Sequence, residues 1–248
     1  MIVELRGVSL SYQSPEGEIE ALRDVSFSLS EGELVSLVGP SGCGKSSLLS
    51  IIAGLETPSS GELTVPTGRI GLMPQRDGLF EWRSIWGNVT LPLTLQKSSR
   101  EQRRHDEARL RELLERYGLA EFAAKSPSQL SGGMRQRCAL IRTLAPNPAL
   151  LLLDEPFSAL DYQTRLAVAD DVYAILRREK KTALIVTHDI SEAVSMTDRV
   201  IVLTRRPATV KSIHTLSGFG DCTPLQRRES PQFREYFQSI WKELDVHV

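Results

Sequence analysis

The sequence predicts an α/β fold with a mostly parallel core sheet, an antiparallel β subdomain and a helical subdomain. Three observations predict it. The run Gly39-Pro40-Ser41-Gly42-Cys43-Gly44-Lys45-Ser46 lies between an apolar strand-length run, Leu34 to Val38, and a helical run, Ser47 to Ala53, closed by Gly54. Three further runs, Ala149 to Leu153, Ala183 to Thr187 and Arg199 to Leu203, are almost continuously apolar. Strands covered on both faces have that composition. Between the two groups, from Arg76 to about Ala145, the pattern turns helical.

Taken in order, residues 2–12 and 19–30 alternate apolar and polar side chains, with turn chemistry at Ser14-Pro15-Glu16-Gly17. They read as two antiparallel strands. Tyr12 ends the first, and by itself is a strand aromatic at a sheet edge. The glycine-rich run fits the pattern G-x-x-x-x-G-K-[ST]. Its glycines let backbone N–H groups curl toward an anion, and the helix that follows adds about half a positive charge at its N-terminus. Lys45 supplies a point charge for outer phosphates, and the Ser46 hydroxyl a ligand for Mg²⁺. The stretch implies a nucleoside triphosphate site. Cys43, beside Lys45 and a helix N-terminus, is expected to have a lowered thiol pKa, so that its alkylation blocks ATP binding and MgATP protects it.

After the turn Thr57-Pro58-Ser59-Ser60-Gly61 comes a short strand, Glu62 to Val65. Arg69 to Met73 is a buried-type strand that delivers Gln75 just past its end. In open parallel sheets ligands bind beyond the carboxyl ends of strands. The segment Glu101 to Tyr117 places Ala108, Leu110, Leu113, Leu114 and Tyr117 on one helical stripe. Its arginines could grip nucleic acid, but acids interleave with them at helix-pair spacing, so the face reads as solvated and no nucleic-acid partner is expected. Ahead of it, Leu79-Phe80-Glu81-Trp82-Arg83 puts large apolar groups in a loop, a core contribution or a partner surface. Helical stretches follow at 162–179 and 190–198. The tail, with Phe233, Tyr236, Phe237, Ile240, Trp241 and Leu244 after Ser230-Pro231, reads as a closing amphipathic helix.

Composition narrows the class. The 248 residues are 41% hydrophobic and 25% charged, ordinary for a globular chain. A net charge of −1 gives no overall field toward nucleic acid or an anionic membrane. The longest apolar runs are too short to span a bilayer, and the N-terminus has no signal-like segment. Cys43, Cys138 and Cys222 show no metal-ligand spacing, which fits a reducing cytosol.

The chemistry concentrates in two further segments. Asp154-Glu155-Pro156 follows the four-leucine strand. A triphosphate site needs a metal ligand, which Asp154 supplies through a water, and a base for the attacking water, which Glu155 supplies. The plainer alternative is two acids capping a turn. In Gln129-Leu130-Ser131-Gly132-Gly133-Met134-Arg135, Ser131 is a helix N-cap followed by bare backbone, a second anion site. One triphosphate does not obviously require two such sites from one chain.

These segments, with Ser158-Ala159-Leu160-Asp161 and His188, stand in the order and spacing of an ABC ATPase, and the resemblance covers the chain to about residue 215. It implies a P-loop NTPase fold as a single domain. The core with its antiparallel β subdomain would occupy 1–75 and 146–215, the helical subdomain 76–145, and a C-terminal helical extension 216–248. It implies ATP and Mg²⁺, and a head-to-tail homodimer that sandwiches each ATP. Gly39, Pro40, Ser41, Gly42, Cys43, Gly44, Lys45, Ser46 and Ser47 would cradle ATP from one copy, and Ser131, Gly132 and Gly133 of the other would bind its γ-phosphate. Tyr12 resembles the aromatic that stacks on adenine, Gln75 the residue that senses Mg²⁺ and the attacking water, and His188 the switch histidine. Ser46, Gln75 and Asp154 would serve Mg²⁺, Glu155 would be the base, and Asp161 lies in the loop crossing the interface. Ser47 departs from the common threonine but keeps the hydroxyl.

Leu79-Phe80-Glu81-Trp82-Arg83 followed by Asn88-Val89, and Arg205-Arg206-Pro207, resemble the nitrate, sulfonate and taurine importer ATPases. That implies an importer subunit paired with separate membrane permease chains, indirectly with a solute-binding protein, on the cytoplasmic face of the cell membrane. Two other classes stay open, a phosphotransferase and an ABC ATPase acting on a nucleic-acid or protein complex.

Overall fold

The computed structural model describes residues 1–15, 17–96 and 99–244. Glu16 of the expected turn and residues 245–248 of the extension lie outside them. The first half contains β1 (Val3–Ser14), β2 (Gly17–Leu29), β3 (Leu34–Val38), α1 (Lys45–Ile52), β4 (Ser60–Thr64) and β5 (Ile70–Met73). The helical segment contains α2 (Ile85–Val89), α3 (Leu91–Leu95), α4 (Arg100–Arg116) and α5 (Gly132–Leu144). Then follow β6 (Leu150–Asp154), α6 (Tyr162–Arg178), β7 (Thr182–Val186), α7 (Ile190–Met196), β8 (Arg199–Leu203), β9 (Val210–Thr215), α8 (Pro224–Glu229) and α9 (Pro231–Leu244).

Two sheets organise these elements. The smaller is antiparallel with order β2-β1-β4. The larger has order β5-β6-β7-β3-β8-β9, parallel except for the edge strand β9. β3 is central and every one of its residues is buried, as are those of β7. Alternation along β6 feeds two cores: Leu151 and Leu153 pack with α5 and α6, Leu150 and Leu152 with α1 and the small sheet. Each such leucine contributes roughly 1.5–3 kcal/mol by leaving water. The parallel strands therefore all end at one edge, and the phosphate loop, Asp154 and His188 emerge there together.

One expectation about α4 needs correction. Ala108 is exposed, and only Leu110, Leu113 and Leu114 of the α4 stripe are buried. The N-terminal part of α4 is exposed, as expected of a solvated face, with Arg103 paired to Glu107 at i,i+4, while Arg109 donates to the Leu144 and Ala145 carbonyls and Arg111 lies over the Trp86 ring. Strand β9, which has no continuous apolar run to announce it, pairs with β8 at the sheet edge. The closing amphipathic helix is α9, starting at Pro231 as the sequence predicts, with the short helix α8 ahead of it. None of the helices among the described residues is long and apolar enough to cross a membrane.

Candidate active site

The phosphate loop hangs between β3 and α1. Gly44, at φ 124°, caps α1, and a Cβ there would lie 2.9 Å from Leu22. Only glycine fits both constraints. Lys45 is 6% exposed, and its amine donates to the carbonyls of Gly39 (2.8 Å) and Pro40 (3.0 Å). A cavity of about 220 Å³ opens above, lined by Ser41, Gly42, Lys45, Ser46, Ser47 and Glu155, with Gly44 and Arg206.

At the end of β6, Asp154 meets the Ser46 hydroxyl. Burial pushes the Asp154 carboxyl up, aided by the Glu155 charge, while the Ser46 bond and Lys45 oppose it. A half-buried carboxylate raised in this way is short of cations, a match for Mg²⁺ arriving with a triphosphate. Mg²⁺ is usually held by one or two carboxylates plus substrate phosphates. Among the described residues no group of three or more His, Cys, Asp or Glu could hold a metal alone. The donor set fits an ion carried in with nucleotide.

Glu155 adopts φ 44°, a left-handed conformation that costs a non-glycine residue roughly 1–3 kcal/mol and tends to mark functional sites. Its backbone is fixed by an N–H donated to the Val186 carbonyl (2.9 Å). One carboxylate oxygen accepts from the Gln75 amide at 3.0 Å, and the other lies 3.3 Å from His188 Nδ1. The ends of β5, β6 and β7 thus bring Gln75, Glu155 and His188 together from distant parts of the sequence. Tyr12 donates to Glu56 (2.8 Å) and meets the Ser47 hydroxyl at 3.0 Å, at the α1 side of the loop.

Ser131 and Asp161 form a separate group. Each caps a helix, Ser131 accepting from the Met134 N–H (3.4 Å) and Asp161 from the Thr164 N–H (3.1 Å). A Cβ on Gly133 would lie 2.7 Å from Val168, so the two helix N-termini sit side by side. Gly132 lines a cavity of about 670 Å³ with Gln75, Arg76, Asp77, Ser158 and Ala159. That cavity shares no lining residue with the phosphate cavity. One chain does not bring Ser131–Gly133 onto its own phosphate loop.

Sequence reasoning missed the clamp that ties these regions. Arg135 of α5 bonds Asp77 (2.7 Å) and Glu81 (2.8 Å), and Arg142 donates to the Asp77 and Gly78 carbonyls at 2.6 Å. Burial alone would raise the Asp77 carboxyl, but bonds from Arg135 and the Leu79 N–H hold it below its usual range. The loop carrying Gln75 and the helix carrying Ser131 at its cap are therefore tied together. A signal was present, arginines at i and i+7 on one helix face, but their partners lie 54 to 65 residues away. Beyond the clamp, Asn88 is buried and knits the aromatic loop through the Phe80 N–H (2.7 Å) and carbonyl (3.1 Å). Leu79 joins the core, whereas Trp82 is 79% exposed beside Phe80.

Cys43 is a correction. It is buried, and burial pushes its thiol up despite the opposing charge of Lys45. Cys138 is buried too, its thiol pushed up to about 12. Brief alkylation of the native chain is therefore expected to label half-buried Cys222 first and to leave Cys43 intact. Peptide mass mapping checks this, and rapid loss of Cys43 would contradict the burial.

Comparison with known proteins identifies the family. A family model described as ABC transporter matches residues 22–158, just over half of the chain. The uncharacterized ABC transporter ATP-binding protein YtlC of Bacillus subtilis is 45% identical over 96% of this chain and 94% of its own length. The nitrate import ATP-binding protein NrtD of Synechocystis is 38% identical over 97% and 94%, and the taurine import ATP-binding protein TauB of Yersinia pestis 44% over 77% and 76%. Among solved structures, a dimeric post-hydrolysis state of the ATP-binding cassette MJ0796 with ADP and Pi superposes with a TM-score of 0.71. It is 34% identical over 88% of this chain and 100% of that one. The chain belongs to the ABC transporter family and is an ABC-type ATPase.

Proposed function

We propose that this chain is the ATP-hydrolysing subunit of an importer, working as a head-to-tail homodimer bound to separate membrane permease chains. The observation that carries the dimer is the division of anion-binding elements between two non-overlapping cavities. Two copies related by a two-fold axis would bring Ser131, Gly132 and Gly133 of one onto the phosphate loop of the other. Gly39–Ser46 and Ser47 then hold ATP, Tyr12 takes adenine, and Asp161 lies at the crossing loop. Ser46, Asp154 and Gln75 would hold Mg²⁺, which neutralises charge on the phosphate oxygens.

Glu155 accepts the proton of the attacking water. Gln75 orients the carboxylate from one side and His188 from the other, so both partners fix the base rather than replace it. Splitting the γ-phosphate removes the anion that joins the two copies, and the dimer reopens. The Asp77–Arg135 clamp carries that movement to the loop holding Phe80 and Trp82, the surface offered to a permease. Attachment to such a partner would place the chain at the cytoplasmic face of the membrane. The solute class that fits the relatives is a small anion or zwitterion such as nitrate, a sulfonate or taurine, delivered by a solute-binding protein.

Trp82→Ala tests the coupling surface. With a co-purifying membrane permease reconstituted in vesicles, the variant is expected to lose permease-stimulated hydrolysis about tenfold while basal hydrolysis of the isolated chain stays native. Truncating a central aromatic of an interface costs on the order of 1–2 kcal/mol or more, which sets that size. Undiminished stimulation, or failure of any membrane chain to co-purify, would count against the importer reading.

A further inference from the structure

We propose that Arg206 is a second cation of the nucleotide site, bonding a phosphate oxygen of ATP alongside Lys45. The inference rests on the ATP-binding reading of the phosphate loop.

The residue sits in the turn between β8 and β9, and that turn is fixed on both sides. Across it, the Thr204 N–H donates to the Thr209 carbonyl (3.0 Å), and the Thr209 N–H to the Thr204 hydroxyl (2.9 Å). Its far end is stitched to β2. The Ala208 N–H donates to the Ala21 carbonyl and the Arg23 N–H to the Ala208 carbonyl, both at 2.9 Å. The stitch brackets Leu22, the side chain that packs beneath Gly44 of the phosphate loop. The turn and the loop thus share one floor, and their relative position is set by backbone.

From that position the Arg206 guanidinium donates to the Gly42 carbonyl at 2.7 Å. It also lines the phosphate cavity with Lys45, Ser46, Ser47 and Glu155, and a second cavity over Pro40–Cys43. Its charge is felt at both Tyr12 and Cys43, on either flank of the loop. A guanidinium carries five donors in a planar fork suited to phosphate, and the bond to Gly42 engages one. Lys45 is the other cation lining this cavity, and Glu155 faces it with the opposite charge. A triphosphate carries several negative charges, so a second cation at the rim improves the balance. A brace for the loop would need only a donor to Gly42. The charge and the fork are explained by an anion.

Equilibrium binding of ATP and ADP to the full chain at several salt concentrations tests the proposal, with Arg206→Gln and Arg206→Lys. Glutamine keeps an amide donor for the Gly42 carbonyl but loses the charge. It is expected to weaken both nucleotides about tenfold and to flatten the salt dependence, with Lys recovering part of the loss. Melting of the nucleotide-free chain should stay within a degree or two of native. Native affinity in Arg206→Gln, or a loss with unchanged salt dependence, would overturn the role. A native chain that bound no ATP at all would instead remove the reading beneath it.

Discussion

Glu155→Gln is expected to bind ATP with near-native affinity and to hydrolyse it on the order of 10²-fold more slowly or worse, the usual range for removing a general base. The change is nearly isosteric. The amide oxygen can still accept one of the two hydrogen bonds that the carboxylate receives, from Gln75 at 3.0 Å or from His188 at 3.3 Å. The strained backbone at φ 44° is untouched, so the fold should melt at close to the native temperature. What is lost is the charge that draws a proton from water. Native hydrolysis by the variant would show that another group is the base.

Ser131→Arg is the second large effect. In place of a small N-cap it puts a long cation at the mouth of the α5 N-terminus, where the γ-phosphate held by the partner would lie. Hydrolysis should fall on the order of 10²-fold, comparable with losing a preorganised donor to a developing anion. Binding of ATP to the variant's own phosphate loop should survive, because the two cavities share no residue. Losing the cap costs roughly 1 kcal/mol, a few degrees of melting temperature in a chain of this size. A phosphotransferase that completes its site within one chain would be indifferent to this change. Retained activity would therefore favour that class.

The parts of this architecture that announce themselves in sequence are those whose physics is local. The phosphate loop is local because glycines, a lysine and flanking apolar runs must follow one another. The β6 leucines are local because a strand covered on both faces has no polar position to spare. Asp154 and Glu155 are legible as the residues that end that strand. What stayed hidden depends on distant partners. Strand β9 alternates half-buried and exposed residues but carries Lys211, Ser212 and His214, so its strand character comes from pairing with β8 at the sheet edge. The buried stripe of α4 is narrower than its period predicts, since Ala108 lies on the rim of the face and small side chains are poor markers of burial. Cys43 misled because a neighbouring lysine and a helix end are visible in sequence, whereas the desolvation that outweighs them is not. The same holds for Arg135 and Arg206. Each reads as a solvated cation until the fold places Asp77 or Gly42 against it.

The central claim is that the phosphate loop is half of an ATP site and that a second copy of the chain supplies the rest. Light scattering of Glu155→Gln after chromatography in ATP or in ADP tests it most directly. With ATP the variant should elute at twice the 27.6 kDa chain mass, and with ADP at the mass of one chain. A species of one-chain mass in saturating ATP, with nucleotide bound, would contradict the account.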